Sequence, residues 1–154
     1  MKYILIFIFT IIYSVSFPQS DKVITIGNVK EVKKSVNGVS LKTENALVDV
    51  LVYSPGVIRV RIDNKEFGDD FSYAVIQNPA SGFKEFNETE TEIEMSTDSV
   101  RVVIKKKPFC VEFSRPDGQI LNEDYPAFPV TWQGTEVTCF KKLFADEKFI
   151  GLGE

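Results

Sequence analysis

The sequence contains no histidine. That absence excludes a Ser-His-Asp triad, a Cys-His dyad and histidine-ligated zinc. Cysteine occurs only as Cys110 and Cys139, too few for a structural zinc site built on thiolates. Two readings of that pair stay open. They are small buried residues in strands, or they oxidise to a disulfide in an exported protein, and sequence alone does not supply the Cβ–Cβ distance that decides. There is no basic excess either: 18 Lys and Arg face 22 Asp and Glu, a net charge of −4. A nucleic-acid partner needs a basic stripe, so that class is excluded, and mild acidity mainly favours solubility. No apolar run reaches the ~20 residues of a bilayer-spanning helix. Repeats, low-complexity tracts and linkers are also missing.

What is present begins with an address. Lys2 precedes an apolar run from Tyr3 to Tyr13, followed by the small residues Ser14 and Ser16. This is the order of a secretory signal peptide, expected over residues 1–20 with cleavage after Ser16 or near Ser20. No cysteine sits at the junction, so a lipoprotein anchor has no attachment point. The expected protein is exported, periplasmic or secreted, with a mature domain over residues 21–154. Removing Lys2 leaves 17 basic and 22 acidic residues, a net charge of −5.

The mature part reads as strands. Residues 46–53 place Val48, Val50 and Val52 on one face, and Val57 to Ile62 alternates Ile58, Val60 and Ile62 against Arg59 and Arg61. Ser54-Pro55-Gly56 between them makes a hairpin turn. Further apolar alternation predicts strands over 72–77, 91–96, 100–105, 109–113, 119–121 and 135–141. Asp98-Ser99, Lys106-Lys107-Pro108 and Arg115-Pro116-Asp117-Gly118 supply corners. Residues 63–70 read as a solvated loop. No stretch after the signal carries a helical period. Short strands at such spacing predict an all-β, antiparallel β-sandwich, whose core suits the 13 phenylalanines.

Candidate chemistry is thin. Acidic neighbours occur at Asp69-Asp70, Glu123-Asp124 and Asp146-Glu147. Adjacent residues on a strand point to opposite faces, so none forms a catalytic dyad by spacing, and solvated turns are the expectation. No EF-hand spacing supports Ca²⁺ at Asp69 and Asp70, and no metal or cofactor is expected. Trp132 has two readings: a core plug, or an exposed platform on which a sugar ring stacks. The latter would make the chain a free-standing carbohydrate-binding module. Lys105-Lys106-Lys107 is read as a solvated corner that guards strand edges. Gly151-x-Gly153 lacks the third glycine and the following helix of a dinucleotide site.

The order of these features resembles one family. Val57 to Ile62 leads to Asp70-Phe71-Ser72-Tyr73-Ala74-Val75, then to the strand–Lys–Pro–Phe hairpin at 100–113. Asp117-Gly118, Asn122-Glu123-Asp124 and Trp132-Gln133-Gly134 follow. The closing Asp146-Glu147-Lys148-Phe149-Ile150-Gly151-Leu152-Gly153-Glu154 is the most specific part. The pattern resembles the N-terminal domain of glycoside hydrolase family 31, the α-glucosidase and α-xylosidase group. The resemblance implies a galactose-mutarotase-like sandwich packed against a (β/α)8 barrel in the same polypeptide. That barrel would carry two aspartates, a nucleophile and an acid/base, in a retaining mechanism on α-glucosides or α-xylosides. Family positions that contact the sugar lie beyond Glu154, so no catalytic residue is assigned to this chain. Mutarotases use histidine for acid–base work, so their activity does not transfer with the fold. The expectation is a sandwich cut before its barrel, inactive alone. Phe140, Leu143, Phe149, Ile150 and Leu152 are the candidates for the apolar surface left bare.

Overall fold

The computed structural model describes residues 21–148 and 151, apart from 70, 72, 74, 76, 77 and 80. The expected signal segment lies outside the described residues, as do Asp70, Phe149, Ile150, Leu152, Gly153 and Glu154.

Twelve strands are assigned among the described residues, and no helix. They are β1 (Ile24–Thr25), β2 (Val29–Ser35), β3 (Gly38–Thr43), β4 (Leu47–Ser54), β5 (Val57–Asp63) and β6 (Glu85–Glu88). After these come β7 (Glu92–Ser96), β8 (Arg101–Lys106), β9 (Phe109–Ser114), β10 (Ile120–Glu123), β11 (Thr131–Gln133) and β12 (Glu136–Thr138). Three sheets result, with orders β2-β3-β4-β5, β10-β9-β8-β7-β6 and β1-β11-β12. Every pairing is antiparallel.

The two larger sheets face each other across the core, as period-2 patterning demands. Val48, Val50 and Val52 of β4 are fully buried, as are Ile93 of β7 and Val102 and Ile104 of β8. Phe109 and Val111 of β9 join the same cluster, with Ile58, Val60 and Ile62 of β5 packed at its margin. Each such aliphatic side chain contributes roughly 1.5–3 kcal/mol by leaving water. The sheets are also tied at their turns. Thr97 Oγ1, beyond β7, donates to the carbonyl of Pro55 in the β4–β5 turn. At a neighbouring margin, Lys34 of β2 lies 4.6 Å over the Phe86 ring of β6.

Two glycines and a threonine explain local detail. Gly38 opens β3 against the backbone of β4, where a Cβ would meet the Val50 carbonyl oxygen at 2.0 Å. Only glycine lets the chains come that close. Gly118 has φ +89° and closes the Arg115–Gly118 turn that the sequence signals. Thr43 is buried but satisfied. Its hydroxyl donates to the Ile26 carbonyl at 2.6 Å and accepts from the Ala46 N–H at 2.9 Å.

Several expectations need correction. The strand expected over 72–77 has no counterpart among the described residues. Tyr73 and Val75 lie outside the ladders, and Tyr73 is 95% exposed. The late strand shrinks to β12, whose only ladder partner among the described residues is β11. The lysine corner does not guard an edge, because β8 and β9 lie inside their sheet. Lys106 is not simply solvated; its ammonium donates to Glu88 and to the Thr89 carbonyl, both at 2.7 Å. The hairpin of β2 and β3 was not expected at all. A bulge between Val29 and Glu31 puts Val29 and Val32 on the core side although they are three residues apart. Among the described residues, no helix is long and apolar enough to cross a membrane.

Candidate docking surface

The segment after β10 carries a cluster of exposed aromatic rings. Glu123 ends β10, and Asp124 continues its pairing, donating its N–H to the Val111 carbonyl at 3.0 Å. The Asp124 carboxylate is nearly buried. One oxygen accepts from the Val111 N–H at 2.8 Å, and the other takes the Lys141 ammonium. Beside it, Glu123 pairs with Lys142 at 3.0 Å. Backbone bonds reinforce the ion pairs: Tyr125 N–H donates to the Phe140 carbonyl and Lys142 N–H to that of Glu123. The later segment is thus fastened along the edge of β10.

This fastening presents three rings to solvent. Phe128 sits between Tyr125, with centroids 5.4 Å apart and planes at 28°, and Phe140, at 5.2 Å and 41°. Tyr125, Phe128 and Phe140 are 42%, 55% and 46% exposed. Leu143, a little further along, is exposed as well. Phe140 and Leu143 are the described members of the expected apolar surface, and both are uncovered. Tyr125 and Phe128 were missed. Their signal was two aromatics flanking Pro126-Ala127, a turn closed by the Phe128 N–H on the Tyr125 carbonyl. Turn residues rarely turn inward, so the rings stay out.

Trp132 goes the other way. It is 6% exposed and packs in the core with Ile26 and Val130. That placement matches the core-plug reading and leaves the indole no free face for a sugar.

Both cysteines are free thiols in this structure. Cys110 is buried in β9 and Cys139 is exposed. The backbone of Asp124 and Tyr125 runs between them, bonded to Val111 on one side and to Phe140 on the other. Two strand spacings of ~4.8 Å exceed the ~7 Å Cα separation a disulfide can bridge. Burial pushes both thiol pKa values up, and the Asp124 charge adds to the rise at each.

Two of the three acidic pairs have partners within the domain, and Asp70 of the third lies outside the described residues. Glu123 and Asp124 are held by lysines, and Glu147 accepts from the Phe144 N–H in a terminal turn, with Asp146 inside that turn. Among the described residues, no group of acidic or thiol side chains is placed to hold a metal. A cleft of about 570 Å³ opens beside Glu44, Asn45 and Asn64, and no aromatic ring lines it. Glu44 is engaged there. Its hydrogen bond with Lys30, helped by two from Asn28, holds its carboxyl below the usual range.

Residues 47–154 match the glycosyl hydrolase 31 N-terminal galactose mutarotase-like domain. The chain belongs to that family. The match leaves out β1 to β3 and takes in the whole aromatic surface. Alpha-glucosidase 2 of Bacillus thermoamyloliquefaciens is 29% identical to this family 31 N-terminal domain over 135 residues, covering 85% of the chain. Among solved structures, a Flavobacterium johnsoniae GH31 dextranase with isomaltotriose superposes with TM-score 0.76 at 23% identity, over 85% of the chain. A Listeria monocytogenes protein solved with α- and β-D-glucose reaches TM-score 0.59 at 14% identity over 73%. Those two likenesses establish the fold. The family 31 domain spans 17% of the glucosidase, 17% of the dextranase and 11% of the Listeria protein.

Proposed function

We propose that this chain is the non-catalytic N-terminal sandwich of a retaining α-glycoside hydrolase of the α-glucosidase or α-xylosidase type, working in carbohydrate metabolism. In the longer protein it supports the barrel in cis and walls one side of the active-site cleft, and the substrate is an α-glucoside or α-xyloside. The observation that carries the reading is the family match over residues 47–154. The side-chain inventory supports it. Histidine is absent, the Glu123 and Asp124 carboxylates are spent on lysines, and the lone tryptophan is in the core. Reading the gene past codon 154 and expressing the longer product tests the proposal. A barrel-coding sequence whose product hydrolyses p-nitrophenyl α-glucoside or α-xyloside is expected; a gene with no barrel sinks the reading.

Export is part of the same proposal. The Lys2 charge, the Tyr3–Tyr13 run and the small residues after it support cleavage near residues 16–20. N-terminal sequencing of the protein recovered from the periplasm or medium should begin between Phe17 and Asp21. An intact Met1 on a cytoplasmic product would overturn it.

A further inference from the structure

We propose that Asn87 is an acceptor for an N-linked oligosaccharide. The inference rests on the export reading, since transferases of that class work outside the cytoplasm. Seven asparagines occur in the sequence, and only Asn87 has a hydroxyl residue two places on, in Asn87-Glu88-Thr89. That is the Asn-x-Thr pattern at which oligosaccharides are attached in secreted proteins. Glu85 places a carboxylate two positions before the asparagine, the further feature that periplasmic oligosaccharyltransferases read.

The fold leaves this asparagine accessible. It lies on β6, the end strand of its sheet, whose outer side has no ladder partner among the described residues. Phe86 packs against the core and carries Lys34 over its ring. Alternation therefore turns Asn87 to the solvent face, where it is exposed. Its side-chain amide makes no hydrogen bond among the described residues. Its register partner on β7, Glu94, is held by Arg101. A bulky glycan at Asn87 displaces no core side chain, and it shields an open edge from pairing with another strand.

The order of events follows from Thr89. Its hydroxyl donates to the Glu92 carbonyl and accepts from the Glu92 N–H, both at 3.1 Å, in the turn that leads into β7. A transferase that reads this hydroxyl needs it free. Attachment therefore occurs before β6 and β7 close, or when that edge frays. The transfer is a substitution at the anomeric carbon of a lipid-diphosphate-linked oligosaccharide. The bond from C1 to the diphosphate oxygen breaks, the bond from C1 to Asn87 Nδ2 forms, the amide gives up one proton, and the lipid diphosphate leaves.

Expression of the 154-residue chain, leader included, in bacteria whose periplasm holds an oligosaccharyltransferase and its lipid-linked donor tests the site by intact mass and peptide mapping. The exported chain should gain the mass of one oligosaccharide, on the peptide that contains Asn87. Asn87→Gln and Thr89→Ala should lose it, Thr89→Ser should keep it, and Asn122→Gln should leave it unchanged. An exported chain without the added mass, in cells that modify a control acceptor, overturns the proposal, as does a glycan attached elsewhere. A chain that keeps its leader and stays in the cytoplasm overturns the export reading instead. The purified chain with the same enzyme and donor then decides the acceptor: transfer to Asn87 supports it, and no transfer overturns it.

Discussion

Cys139 and Gly38 show how much hangs on where single residues point. Cys139 is exposed as a residue, yet its thiol lies against enough protein for its pKa to rise, and Cys110 is buried outright. Since the thiolate is the reactive form, a raised pKa leaves less of it at neutral pH. A disulfide-exchange reagent should therefore label one thiol in the native chain and two in denaturant. The native rate should stay below that of a free thiol at pH 7 and climb as pH rises past the ordinary thiol value. Two thiols labelled at equal rates in the native chain would contradict the placement of Cys110. At Gly38, a methyl would collide with the Val50 carbonyl. Gly38→Ala should cost about 1–3 kcal/mol in urea unfolding, as overpacking against a fixed backbone does. An unchanged midpoint would mean that β3 and β4 can part without penalty. Sequence offered no sign of this. The Asn37-Gly38 pair follows a lysine-rich stretch, and the need for glycine comes from Val50 on the neighbouring strand β4.

Strands were legible where one face alternates cleanly and hidden where geometry breaks the period. β4, β5, β7, β8 and β9 lie within a residue of the bounds that the sequence predicts, and burial alternates most cleanly in β4 and β7. β2 did not show because its bulge sets the two core residues three apart and its other side chains are mostly lysine. The run over 72–77 erred in the opposite sense: its composition reads as a strand, but its described members, Tyr73 and Val75, are exposed. The element most open to test is the β10 edge and the segment fastened to it. Asp124 carries both the Val111 N–H and the Lys141 ammonium. Asp124→Ala should leave that N–H without its acceptor and cost about 1–3 kcal/mol. Lys141→Met should cost less, about 1 kcal/mol or below, because that ammonium is only half-buried. Urea unfolding of the two variants measures both, and the reverse order would show that the ion pair, rather than the backbone contact, holds the segment.

For the molecule as a whole, the candidate site divides by kind. Family membership was legible because the closing Asp146–Glu154 motif and the hairpin residues before it stand in the sequence in the family's order. The aromatic surface was only half legible. Phe140 and Leu143 stood out as apolar residues on a late segment, whereas Tyr125 and Phe128, held together by their own turn, meet Phe140 only when Asp124 and Lys141 fasten the two segments. Trp132 illustrates the converse. Its sequence context allowed a platform or a plug, and the packing of Ile26 and Val130 around it decides for the plug. The central claim is that this sandwich contributes shape and support, with the chemistry lying elsewhere in a longer enzyme. Its most direct test is a hydrolysis assay of the purified 154-residue chain on p-nitrophenyl α-glucoside and α-xyloside. The account predicts no release of nitrophenol above the enzyme-free blank at any enzyme concentration. Turnover that scales with the amount of chain and persists through purification would contradict it.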